Sequence, residues 1–150
     1  MRVILQRVTS ASVLVDQNIV GRIEAGLVIL LGITHEDTAE DIQYIINKIL
    51  QLRIFNDENG KMNLSVRDIS GECLIISQFT LYASTKKGNR PSYIDAASPD
   101  LAIPLYEQFI TEFRHHHHAK VATGEFGADM KVSLINDGPV TITLDSKDKK

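Results

Sequence analysis

Leu27-Val28-Ile29-Leu30-Leu31-Gly32-Ile33 is apolar on both of its faces, so a strand there has to be covered on both sides. With 150 residues available, that demand points to one layered domain, large enough to bury most of its apolar surface. A second run, Cys73 to Ile76, is equally apolar and then turns abruptly polar through Ser77-Gln78-Phe79-Thr80-Leu81-Tyr82-Ala83. Because strand-forming residues persist, the pattern predicts a core strand that continues to Ala83 and delivers hydroxyl and amide groups to a surface pocket.

The rest of the chain is read against these two runs. Arg2 to Asp16 alternates, and Gln17-Asn18 offers a turn before Ile19 to Ile23 returns, which predicts an opening hairpin. Thr34 to Thr38 supplies cap residues, and Ile42, Ile45, Ile46 and Ile49 recur at helical spacing to about Leu52. Asn56 to Gly60 is a turn between Arg53-Ile54-Phe55 and a returning strand at Lys61 to Val66. Ser98-Pro99-Asp100 opens a second helix, whose buried face is traced by Leu101, Leu105, Tyr106, Phe109, Ile110 and Phe113, with a kink or restart expected at Pro104. Ala122 to Ala128 reads as irregular, and Met130 to Ile135 and Val140 to Leu144 read as two strands separated by Asn136-Asp137-Gly138-Pro139.

These elements predict a single α/β domain over residues 1–145: a twisted, mixed, mostly antiparallel sheet with a barrel-like core and two main helices. Residues 146–150 are expected to be a flexible tail.

Composition excludes several functions. No apolar run approaches the roughly 18 to 20 residues of a membrane span, and the single Cys73 allows no intrachain disulfide, so a cytoplasmic setting is expected. Cys73, in apolar surroundings, reads as core. A net charge of −3 argues against a general nucleic-acid coat, although Lys86-Lys87-Gly88-Asn89-Arg90 is a local basic loop. Hydrolase elbows, zinc motifs, phosphate loops and dinucleotide fingerprints are all missing, and nothing calls for a cofactor. His115 to His118 invites a metal reading, but successive helical residues point in different directions and no acidic or cysteine ligand is suitably spaced, so a solvated helix end is expected. His35 belongs to a capping stretch. Ser77 and Thr80 are therefore left with hydroxyls and no general base.

Ser77-Gln78-Phe79-Thr80-Leu81 and Asn136-Asp137-Gly138-Pro139-Val140-Thr141 together resemble the two signature motifs of the D-aminoacyl-tRNA deacylases. The likeness extends to Met1-Arg2-Val3, Gln6-Arg7-Val8, Leu52 to Phe55, Gly60 to Leu64, Arg90-Pro91-Ser92 and Phe126 to Met130. It implies an enzyme that hydrolyses the ester joining a D-amino acid, or glycine, to the 3'-terminal adenosine of tRNA, in a homodimer with active sites at the subunit interface. It further implies a cis Gly138-Pro139 whose carbonyls obstruct an L side chain, and main-chain N–H groups around Ser77, Gln78 and Phe79 that hold the substrate carbonyl. The substrate's own ribose hydroxyl would assist the attack. Thr80 is read as a positioning residue in preference to a nucleophile, Asn136 as part of the substrate-binding chiral filter with Gly138 and Pro139, Phe126 and Met130 as pocket lining or core, Val140 and Thr141 as motif support, and Arg7 as a brace for the Gly-Pro loop or a surface ion pair. Two other readings stay open: a nucleic-acid-binding module using the Lys86 to Arg90 loop, and a general esterase with a Thr80 or Ser77 nucleophile.

Overall fold

The computed structural model describes residues 1–150. β1 (Arg2–Val15) and β2 (Asn18–Ile23) form the opening hairpin, turning at Asp16 and Gln17, whose φ angles are 49° and 67°. Two consecutive left-handed residues make the tight turn that suits the twist of paired strands. The turn therefore falls one residue earlier than the sequence suggests. β3 (Gly26–Gly32) runs antiparallel to the first half of β1 and leads into α1 (Ala39–Gln51), where the Thr38 N–H donates to the Asp41 carboxylate at 2.8 Å. A small hairpin, β4 (Phe55–Asn56) with β5 (Met62–Leu64), precedes β6 (Glu72–Ser77), which lies parallel to β3. α2 (Pro99–His116) carries the chain over to β7 (Val121–Thr123), parallel to β6, and β8 (Lys131–Asp145) runs back along the whole of β1.

Both parallel pairs need a crossover, and α1 and α2 are those crossovers. The alternation of strand side chains explains the doubly apolar runs. Leu27, Ile29 and Leu31 of β3, with Cys73 and Ile75 of β6, pack beneath Ile42, Ile45, Ile49, Phe109 and Phe113 of the helices. Val28, Leu74 and Ile76 point the other way, into a second cluster with Val8, Ala11, Val13 and Ile23. That cluster fills a nearly closed barrel. β2 approaches β7 so closely that a Cβ on Gly21 would stand 2.7 Å from the Thr123 carbonyl oxygen.

Several expectations change. The strand predicted through Ala83 ends at Ser77, and Phe79–Tyr82 forms a 3₁₀ turn. β3, its partner, ends at Gly32, and without a ladder beyond it the chain satisfies its own carbonyls, Leu81 N–H donating to Gln78 O at 3.2 Å. The two strands predicted around Asn136 to Pro139 are one, because β1 supplies a continuous template on which the extra residues form a bulge. Ala122-Thr123, expected to be irregular, belong to β7. Pro104 neither ends nor restarts α2, and Leu101 stays exposed while Ala102 takes the buried position. At the carboxyl end, Ser146 is buried and accepts a hydrogen bond from the Met1 amino group at 2.7 Å, while Lys147 pairs with Asp41 at 3.0 Å. No helix is long and apolar enough to cross a membrane.

Candidate active site

β6 carries Ser77 to the edge of the helix-covered layer. There a cavity of about 70 Å³ is walled by Leu31, Ile33, Ala97, Ala102, Phe126 and the stretch Ser77 to Phe79. Larger hollows, of about 490 and 530 Å³, lie on the β1, β2 and β8 surface and beside the histidines. The smaller one combines an apolar wall with main-chain donors, which is what recognition of a carbonyl beside an apolar group requires.

Its donors follow from the backbone. Gln78 N–H is already used, donating to Leu31 O at 2.8 Å. Strand alternation turns the Ser77 N–H away from β3, to the side on which the ladder with β7 has already ended at Ile75 and Thr123, and Phe126 and Gly127 line the same cavity. Phe79 and Thr80 open the 3₁₀ turn, where the first N–H groups have no acceptor within the helix. The Gln78 side-chain amide donates to the Thr80 hydroxyl oxygen. An amide donor lowers the electron density of that oxygen and cannot take its proton, so the geometry suits Thr80 to positioning. His35 is engaged elsewhere, its Nε2 lying 2.9 Å from Ile94 O.

Two residues that sequence reasoning missed hold this turn. Arg2 donates to Leu81 O at 2.8 Å and to the Asp145 carboxylate at 2.9 Å, with its guanidinium over the Tyr82 ring. Gly32 leaves room for the turn, since a Cβ there would meet Leu81 Cβ at 3.0 Å and Gln78 O at 3.1 Å. A glycine inside an apolar strand is the one signal the sequence offered for such an approach.

The second motif is built on the bulge of β8. Asn136 pairs with Val8 and Thr141 with Gln6, so the residues between them protrude opposite Arg7. Asn136 clamps the base of the protrusion, its Nδ2 donating to Arg7 O at 2.9 Å and Val140 O at 3.0 Å. Arg7 is buried; its Nε donates to Asp137 O at 3.1 Å and its Nη1 to Ile54 O at 2.8 Å. Arg7 is therefore a buried brace, with the partly exposed Asp137 carboxylate 3.4 Å away. Thr141 lies beside Gln6, which donates to its hydroxyl at 3.3 Å. Gly138-Pro139 is cis, Gly138 has φ of 126°, and both residues are exposed.

Within one chain the two motifs do not meet. Gly138 stands level with Arg7, which pairs with Leu27, which pairs with Cys73, four residues before Ser77. Three strand spacings across and four residues along place the motifs roughly 15–20 Å apart. Phe126 lines the Ser77 cavity and packs against Tyr106, with ring centres 5.5 Å apart. Met130 does not line it; it packs on the barrel cluster over Gly124.

The histidines are not one surface cluster. His115, His116 and His118 are exposed, but His117, expected at a solvated helix end, is buried and donates from Nε2 to Gly71 O at 2.7 Å. Burial lowers its pKa below the usual histidine value, and its Nδ1 has no partner. No group of three or more His, Cys, Asp or Glu side chains is placed to hold a metal ion. Cys73 is buried, which raises its thiol pKa far above the ordinary range.

The chain has close relatives. The family model described as D-Tyr-tRNA(Tyr) deacylase matches residues 4–145. Proteins named D-aminoacyl-tRNA deacylase from Flavobacterium psychrophilum and Thermosipho africanus are 59% and 58% identical, over 100% and 98% of both chains respectively. A solved structure described as c-Myc DNA Unwinding Element Binding Protein superposes with a TM-score of 0.92 at 41% identity, covering 97% of this chain and 98% of that one. Another, a probable eukaryotic D-amino acid tRNA deacylase, shares the fold at a TM-score of 0.82 and 19% identity, over 95% of this chain and 97% of its own. The chain belongs to the D-Tyr-tRNA(Tyr) deacylase family, and with it to the hydrolases that act on the ester bond of aminoacyl-tRNA.

Proposed function

We propose that the protein releases D-amino acids, and glycine, from the 3'-terminal adenosine of tRNA and rejects L-aminoacyl-tRNA. The observation that carries this reading is the cavity under the open end of the 3₁₀ turn, in a chain that matches named deacylases along its full length. The ester carbonyl binds the N–H groups of Ser77, Phe79 and Thr80. Donors already aimed at a developing oxyanion contribute roughly 3 to 4 kcal/mol each in other hydrolases. Water adds to the carbonyl carbon, the carbon–oxygen bond to ribose breaks, and the departing oxygen takes the proton. The cavity wall supplies no imidazole or carboxylate, so the neighbouring ribose hydroxyl of the substrate is the proton carrier.

Chirality is judged by Gly138 and Pro139 of a second copy. Three features support a homodimer: the separation of the motifs within one chain, the exposure of Gly138-Pro139, and the outer edge of β8, which no strand of the chain covers. An uncovered strand of this length invites pairing with another chain. The 3'-terminal adenosine enters beside Phe126, and Met130 supports it from the barrel side of Gly124.

The test is incubation of D-Tyr-tRNA, L-Tyr-tRNA and Gly-tRNA with the protein, with and without a chelator. Loss of the D and glycyl esters alone, unaffected by chelation, is the expected result. Equal loss of both enantiomers would favour a general esterase. The description of the 41% identical structure favours a second reading, nucleic-acid binding without chemistry, which predicts salt-dependent binding and no ester loss.

A further inference from the structure

At the rim of the cavity, Phe79 carries an exposed side-chain surface that the deacylase reading, which uses only its main-chain N–H, has not used. Phe79 is 56% exposed, and its ring meets Tyr93 edge to face with centres 5.1 Å apart; Tyr93 is 40% exposed. Large aromatic rings left in water next to a site call for a partner.

The charge around them is one-sided. From Cys73 to Ile94 the chain has no acidic residue and three cations, Lys86, Lys87 and Arg90. Subtracting that +3 from the net −3 leaves −6 for the rest of the chain. None of the three cations forms an ion pair or a side-chain hydrogen bond, although other surface lysines do, such as Lys131 with Asp129 and Lys147 with Asp41. Their loop is held out from the body: Ser84 and Ser92 exchange both backbone hydrogen bonds, at 2.8 and 2.9 Å, and residues 85–92 are all exposed. The exchange fixes Tyr93 at the foot of the loop and against Phe79.

We propose that Phe79 and Tyr93 form a stacking platform for an unpaired base of a single-stranded RNA end, with Lys86, Lys87 and Arg90 on the adjoining phosphates. Stacking and unpaired cations in one place are the two ingredients of single-strand binding without a sequence code. The assignment rests on the deacylase reading, since it gives the nucleotides preceding the terminal adenosine a path out of the cavity. The net negative charge of the remaining chain keeps RNA off other faces.

The test uses the full-length protein and an unacylated single-stranded RNA oligonucleotide, with affinity measured against salt concentration. Tyr93→Ala is expected to weaken binding about 5- to 150-fold with the salt slope unchanged, and Tyr93→Phe to restore it. The triple variant Lys86→Gln, Lys87→Gln, Arg90→Gln is expected to flatten the slope by about 2 in logarithmic terms, at roughly 0.7 per phosphate contact. Wild-type slope and affinity in both variants would overturn the platform. So would a change of oligomeric mass in either variant, which would mark the patch as a contact between copies. Deacylation of D-Tyr-tRNA by the wild-type protein is followed in parallel. RNA binding that depends on these residues, without ester loss, would uphold the platform and sink the enzymatic reading alone.

Discussion

Removing the Arg7 guanidinium should release the Gly138-Pro139 bulge from the sheet. Arg7 donates to Asp137 O at 3.1 Å and to Ile54 O at 2.8 Å from a buried position. Hydrogen bonds from a charged group contribute about 1.5–3 kcal/mol each. The lower figure applies, because Asp137 is half exposed and its 3.4 Å ion pair is screened by water. Arg7→Met, which keeps the apolar stem, should therefore cost about 3 kcal/mol. With a urea m-value of about 1–3 kcal/mol/M, the midpoint falls by about 1–3 M. Arg7→Lys retains the charge without the planar fork and should lose about half as much. The chain has no tryptophan, so unfolding is followed by circular dichroism, at one protein concentration to hold any oligomerisation constant. Amide exchange over residues 136–141 reports the bulge directly. An unchanged midpoint in Arg7→Met, with exchange in the bulge also unchanged, would refute the brace.

Gly138→Ala combines a φ of 126° with a Cβ placed 2.8 Å from Val140 Cγ2 and 3.1 Å from Arg7 Nη2; a loss of about 1–3 kcal/mol in urea unfolding is expected, together with weaker discrimination against L-Tyr-tRNA. Thr80→Ser should keep most deacylation and Thr80→Val should reduce it, with no acyl-enzyme seen by mass spectrometry in the wild-type protein; a trapped Thr80 ester would make it the nucleophile. His117 has a folded pKa below its ordinary 6.5, so the unfolded chain takes up the proton first and stability declines as pH falls below about 6.5. In His117→Gln, thermal unfolding scans should show a flatter pH dependence across that window; an identical profile would show that His117 is not the group responsible.

Local pattern carried a large part of the architecture. The hairpin of β1 and β2, the isoleucine stripe of α1 and the doubly covered β3 follow from alternation and helical spacing, which depend on near neighbours in the chain. The end of β6 at Ser77 was not legible, because the residues after it suit a strand and only the end of β3 at Gly32 removes their partner. His117 was misread for a related reason. Its immediate neighbours His116 and His118 are exposed, whereas its hydrogen-bond partner, Gly71 O, lies across the fold.

The candidate site divides in the same way. Sequence by itself determined the ingredients: a hydroxyl and amide stretch after a buried strand, an Asn-Asp-Gly-Pro segment that it cast as a turn between two strands, a basic loop, and no side-chain base beside the hydroxyls. Only tertiary structure decided which N–H groups remain available, since Leu31 O takes that of Gln78 and the ladder with β7 stops before Ser77. It also decided that Arg7 is a buried brace and that the two motifs lie on different parts of the same sheet. The physical reason is that composition and periodicity report what a residue prefers, while hydrogen-bond partners and distances are set by strand register, which joins residues far apart in the chain.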